Sequence, residues 1–164
     1  PMDTITQSRN PLYQKWYDEG LLCGIPGPII DSEVLYNDIV DIHSQSVVSH
    51  CVCDPCGDSS MLNLLQNAGY NITLLARGYR LSDPTKSFQK LVLTERVCYA
   101  TEIFEWNARN THVYIDNNDN LFAQKKQNGS KDKIDGVMTA IFCLKPMIDE
   151  QILMIEQSFD IFTI

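Results

Sequence analysis

No stretch of this sequence approaches the run of roughly 20 apolar residues that spans a bilayer as a helix. The opening residues lack the basic, apolar and small-residue succession of a secretory leader. Positive charge is also scarce: Lys and Arg number 13 against 21 Asp and Glu, a formal net charge of -8. That balance disfavours a broad cationic coat for nucleic acid, although an acidic protein can still meet DNA through a local basic strip and metal ions. Internal repeats and low-complexity tracts are missing, which excludes a repeat array. The cysteines are few and badly spaced for a disulfide framework, since three of the six fall in the hexapeptide Cys51 to Cys56. Such spacing excludes a small secreted scaffold and suits a reducing, cytoplasmic setting.

A second C-x-x-C pair is absent too. Structural zinc takes four N or S ligands in a tetrahedron, and Cys53 with Cys56 forms the single such pair in the chain. Completing the shell with Cys51 would require His43 or His112 to converge through the fold. A redox reading fares no better, because Asp54 between the two thiols works against a stabilised thiolate. The cysteines are therefore expected to be free and to pack in the core as small hydrophobes.

What the sequence does hold is the core of one soluble domain: 164 residues, 44% of them apolar and 21% charged. Pro11 opens a short helix with Leu12, Trp16 and Tyr17 in register, stopped by Gly20. The segment from Leu21 reads as a brief strand and a Pro/Gly turn. Asp31 then caps a helix to about His43, with Val34, Leu35, Ile39 and Ile42 on its buried face. The β-prone run from Val47 to Cys53 suits a central strand ending at Asp54-Pro55. A helix from about Ser59 to Ala68, stopped by Gly69, and a strand within "NITLLA" complete a strand, helix, strand unit of parallel type. Further on, a helix from Pro84 to about Thr94 turns Phe88, Leu91 and Val92 inward, and "TEIFEWNARN" is helical. The next segment is a hairpin turning through Asn117 to Asn120, and "IDGVMTAIFCLK" an apolar helix. This alternation predicts an α/β fold over residues 1–145, followed by an amphipathic tail over 146–164.

Two aspartates stand where chemistry is done in such folds. Asp54 leaves the end of the central strand, the edge at which open α/β sheets bind ligands; a turn or capping role before Pro55 is its ordinary alternative. Asp135 enters the first turn of the apolar helix, where a carboxylate also complements the helix dipole. Ile134, Val137, Met138 and Ile141 imply that it is buried, and a buried carboxylate needs a partner such as a metal. Asp132 is the fallback ligand. Arg77, Arg80 and Lys86, with Lys125, Lys126, Lys131 and Lys133, fall in two regions that would form a phosphate-holding strip if both flank the two aspartates. Surface solvation is their ordinary role.

The segments "EGLLCGIPGPIID", "CVCDPCG", "LLARGYRLSDPTKSFQKLVLTERV", "WNARNTHVYIDNNDN" and "KDKIDGVMTAIF" occur in this order. From Tyr13 to Leu144 the chain thereby resembles the nuclease domain of phage terminase large subunits. The K-I-D-G-V-x-x-A helix and the R-G-x-x-x-S-x-P-x-K loop are the most specific elements. The resemblance implies a ribonuclease H-like mixed sheet flanked by helices and an endonuclease that cuts concatemeric viral double-stranded DNA in the cytoplasm of an infected bacterium. It implies a pair of Mg²⁺ or Mn²⁺ ions on carboxylates, one activating water and the other stabilising the leaving oxygen. Asp54 matches the family's second acidic position and Asp135 its third, while Arg77, Lys86, Lys131 and Lys133 are the expected DNA contacts. The implied partners are the ATPase motor domain, the small terminase subunit and the portal. The family's first catalytic aspartate falls upstream of Pro1 in this alignment of motifs, and no G-x-x-x-x-G-K-[ST] motor signature occurs. The expectation is a fold incomplete at its N-terminus that cuts DNA weakly or not at all by itself. The alternative is a split or degenerate fragment acting as an assembly module.

Overall fold

The computed structural model describes residues 1–98, 101–126 and 132–150, and over these the chain divides into two compact units. The first comprises Pro1–Ser49 and Gly57–Ile72, the second His50–Cys56 and Thr73 onward.

The first unit is helical. α1 (Met2–Gln7) packs on α2 (Pro11–Asp18), and α3 (Ser32–Gln45) packs on α4 (Ser59–Asn67). Most of these helices start where a side chain supplies the missing acceptor for a free N–H. Asn10 accepts from the amide of Leu12, Asp31 from Glu33 and Asp58 from Ser60. Trp16 and Leu65 are the deeply buried anchors. At Gly24 the chain passes close to its neighbours: a Cβ there would lie 2.7 Å from Met2 Sδ and 2.8 Å from a ring carbon of Tyr17, so those side chains would have to shift. Two expectations are corrected in this unit. The segment after Leu21 forms no strand. The inward face assigned to α3 is only partly covered: Leu35 and Ile39 are half-buried while Val34 and Ile42 are exposed. Tyr17 also lies at the surface.

The second unit carries the strands. β1 (Cys51–Cys53) pairs with β2 (Ile72–Leu74), and β3 (Thr111–Ile115) pairs antiparallel with β4 (Leu121–Lys125) in the register Thr111 to Lys125 through Ile115 to Leu121. Three helices complete it: α5 (Ser82–Leu93), entered through a 3-10 turn at Tyr79–Leu81, α6 (Glu102–Asn110) and α7 (Asp135–Asp149). Leu75, Leu81, Val137 and Ile141 form the core, with Val52, Phe88, Phe104 and Phe142 packed around them. The α/β character is as expected, but the sheets are small, two strands each among the described residues. The central strand is three residues long, and Val47 within the expected run is 90% exposed. Val92, expected inward, is exposed on α5. Cysteine packing is corrected as well: all six are free, but none is fully buried, with Cys51 and Cys53 half-covered and the others exposed. The tail beyond residue 150 lies outside the described residues.

Candidate functional site

Asp54 is the first residue beyond β1. The amide of Leu75 donates to the carbonyl of Cys53 at 2.9 Å, so pairing holds the chain up to the point where the aspartate leaves it. Its Oδ1 accepts the amide of Cys56 at 3.0 Å, the turn role open to any aspartate there, and its Oδ2 accepts Arg77 Nε at 2.9 Å. These contacts hold the carboxyl below its ordinary range: the Cys56 amide is the largest influence, partial burial opposes it, and the Arg77 guanidinium adds to it. Asp54 is therefore an anion at neutral pH.

Asp135 is the first residue of α7, and it is exposed. This overturns the expected burial, and the helical repeat gives the reason. Val137 and Ile141, both buried, lie on the opposite side of the helix from residue 135, whereas positions three, four and seven further on share its face. Those are Met138, Thr139 and Phe142, and with Asp135 they line one wall of an open cleft of about 250 Å³ whose other wall carries Asp54 and Arg77. A second cavity of about 340 Å³ adjoins this lining, bordered by Arg77, Asp135, Gln124 and Lys125. Arg77 and Asp135 thus line both. Gly78 follows Arg77 with φ +112°, a left-handed backbone that a side chain resists.

α6 holds the backbone around Asp135. Ile134 precedes α7 and provides no side-chain cap. The acceptor comes instead from Asn107, buried at 4% exposure: its Oδ1 takes the Gly136 amide at 3.0 Å, and its Nδ2 donates to the Ile103 carbonyl at 2.8 Å. One turn on, Asn110 Nδ2 donates to the Lys133 carbonyl at 3.3 Å. Two asparagines three apart on one helix therefore grip the segment on both sides of Asp135. Sequence reading passes over Asn107; the available signal is this three-residue repeat in "WNARN".

Other expected site residues lie elsewhere. Lys86 is exposed on α5, lines neither cavity, and its positive charge is one of several influences lowering the Asp116 carboxyl, after the hydrogen bonds from Asn120 and Asn118. Lys133 and the fallback Asp132 are exposed and line neither cavity. Lys131 lies outside the described residues. Among the described residues no three His, Cys, Asp or Glu side chains are grouped to hold a metal ion, so the hexapeptide cysteines do not assemble a zinc shell there. The two aspartates are the acidic groups that the cleft offers.

The profile of the terminase large subunit endonuclease domain matches residues 1–150. Among solved structures, the large terminase of bacteriophage HK97 superposes with a TM-score of 0.74 at 20% identity, covering 88% of this chain and 30% of that one. The chain thus corresponds to less than a third of that terminase's length. No curated protein sequence matches.

Proposed function

The chain belongs to the family of terminase large subunit endonuclease domains, and from that premise we propose that it is the metal-dependent nuclease of a viral DNA-packaging machine, of ribonuclease H-like fold, cutting concatemeric double-stranded DNA. The observation carrying the reading is that Asp54 and Asp135, far apart in sequence, line one open cleft. Their chemistry fits Mg²⁺ or Mn²⁺: hard cations prefer oxygen, and Mg²⁺ is commonly held by one or two carboxylates with water and substrate phosphate filling the remaining positions. Bound there, a metal pair supplies a nucleophilic water and stabilisation of the leaving oxygen in an in-line phosphodiester displacement.

The chain's own residues do the remainder. Asp54, kept ionised, and Asp135, aimed by the α6 asparagines, set the metal positions. Arg77 presents a cation where a DNA phosphate would lie, and Lys133 and Lys86 extend contact with the backbone further out. The ATPase motor domain, small terminase subunit and portal are the proposed partners, and the cytoplasm of an infected bacterium the proposed setting.

The test is nicking of supercoiled plasmid in Mn²⁺, by this chain and by the polypeptide carrying it together with a motor domain. Asp54→Asn and Asp135→Asn should each lower the rate at least about a hundredfold, consistent with loss of a metal clamp worth several kcal/mol. Nicking that survives both substitutions at the original rate would overturn the assignment.

A further inference from the structure

The same guanidinium that lines both cavities is bonded to one of the two proposed ligands, and this has a consequence for how metal and DNA arrive. Arg77 Nε lies 2.9 Å from Asp54 Oδ2, so a cation approaching that oxygen meets a positive charge already in place. The side chain is 76% exposed while Asp54 is 25% exposed, which leaves the arginine the partner with room to move. The adjoining cavity, bordered by Lys125 and Gln124, gives it a second place to go. Gly78 spares the loop a side chain there, and a Cβ at that position would meet nothing within 4 Å.

We propose that Arg77 is a resident counter-ion of Asp54 which yields its place to the metal and transfers to a DNA phosphate, so that metal and DNA bind cooperatively through this one side chain. The proposal rests on the reading of Asp54 as a metal ligand. Without DNA, Arg77 opposes the metal by charge and by occupying Oδ2. With DNA present, a phosphate in the neighbouring cavity draws the guanidinium away and the opposition disappears. Linkage requires the reverse effect as well, so metal should strengthen DNA binding by the same factor. Arg77 is thus a positioning residue that acts through Asp54, and Lys at this position would keep the charge without the planar fork.

The experiment measures Mn²⁺ affinity from the free-ion electron paramagnetic resonance signal, with and without a short phosphorothioate duplex, for the wild-type chain, Arg77→Gln, Arg77→Lys and Asp54→Asn. Circular dichroism confirms that each variant is folded. The expected result is that Arg77→Gln raises Mn²⁺ affinity in the absence of DNA by about three- to tenfold, the scale of an exposed ion pair facing a divalent ion. The duplex should strengthen wild-type Mn²⁺ binding and add little to Arg77→Gln, with Arg77→Lys close to wild type. If Arg77→Gln leaves Mn²⁺ affinity and its response to duplex unchanged while Asp54→Asn weakens binding, the counter-ion role is wrong and the metal site stands. If Asp54→Asn itself leaves Mn²⁺ affinity unchanged, both fall together.

Discussion

Asp54 owes its low proton affinity to its own backbone neighbourhood more than to Arg77, because the Cys56 amide is the leading influence on it. A carboxyl whose folded pKa lies below its unfolded value stabilises the fold fully above the ordinary 3.8 and loses that contribution as pH falls through the lowered value. A ¹³C titration of the side-chain carboxyl should therefore find its midpoint below 3.8 in the wild-type chain. In Arg77→Gln the midpoint should rise and still remain below 3.8. A midpoint at or above 3.8 in the wild type would contradict the two hydrogen bonds described. At this scale the placement of both aspartates was readable, because the end of a strand and the start of a helix are local features of sequence. The exposure of Asp135 is also encoded locally, in its helical angle to Val137 and Ile141, but the overall apolarity of the segment masks it. The Arg77 to Asp54 and Asn107 to Gly136 contacts, 23 and 29 residues apart, were not, since no spacing rule encodes a meeting of distant elements.

At the scale of elements, four of the helices begin at a capping side chain, of which the sequence pattern singled out Asp31. Asn10, Asp31, Asp58 and Thr101 each begin a helix and each accept an amide from its first turn. α7 lacks such a residue of its own, and its first turn depends on α6. Asn107→Ala should leave the part-buried Gly136 amide without its acceptor and destabilise the chain by about 1–2 kcal/mol in urea unfolding. Asn110→Ala removes a longer and more exposed bond, so its cost should be smaller, about 0.5 kcal/mol. Equal stability of Asn107→Ala and the wild type would show that the clamp on α7 has no energetic weight. Strands were harder to read than helices. The run from Val47 has the right residues for a long central strand, yet pairing with β2 extends over only Cys51–Cys53, because strand length is set by the partner and not by propensity.

At the scale of the whole molecule, alternation of helix and strand was enough to indicate an α/β chain, and the ordered motifs were enough to indicate the terminase nuclease family, which the match over residues 1–150 shows. Sheet membership and the division into two units were not readable, since both depend on which segments meet in space. The net charge of -8 disfavours a general affinity for DNA, so under the proposed function the phosphate backbone would be met by bound metal and by a few cations, Arg77 first. The proposed function turns on Asp54 and Asp135 holding a metal together. The most direct measurement is paramagnetic line broadening by substoichiometric Mn²⁺ in the amide spectrum of the chain. Broadening should centre on Asp54, Asp135 and Thr139, and should vanish there in the variant carrying both Asp54→Asn and Asp135→Asn. Broadening that centres on Asp116 and Asp119 in the hairpin turn, or on Cys53 and Cys56, and persists in that variant would contradict it.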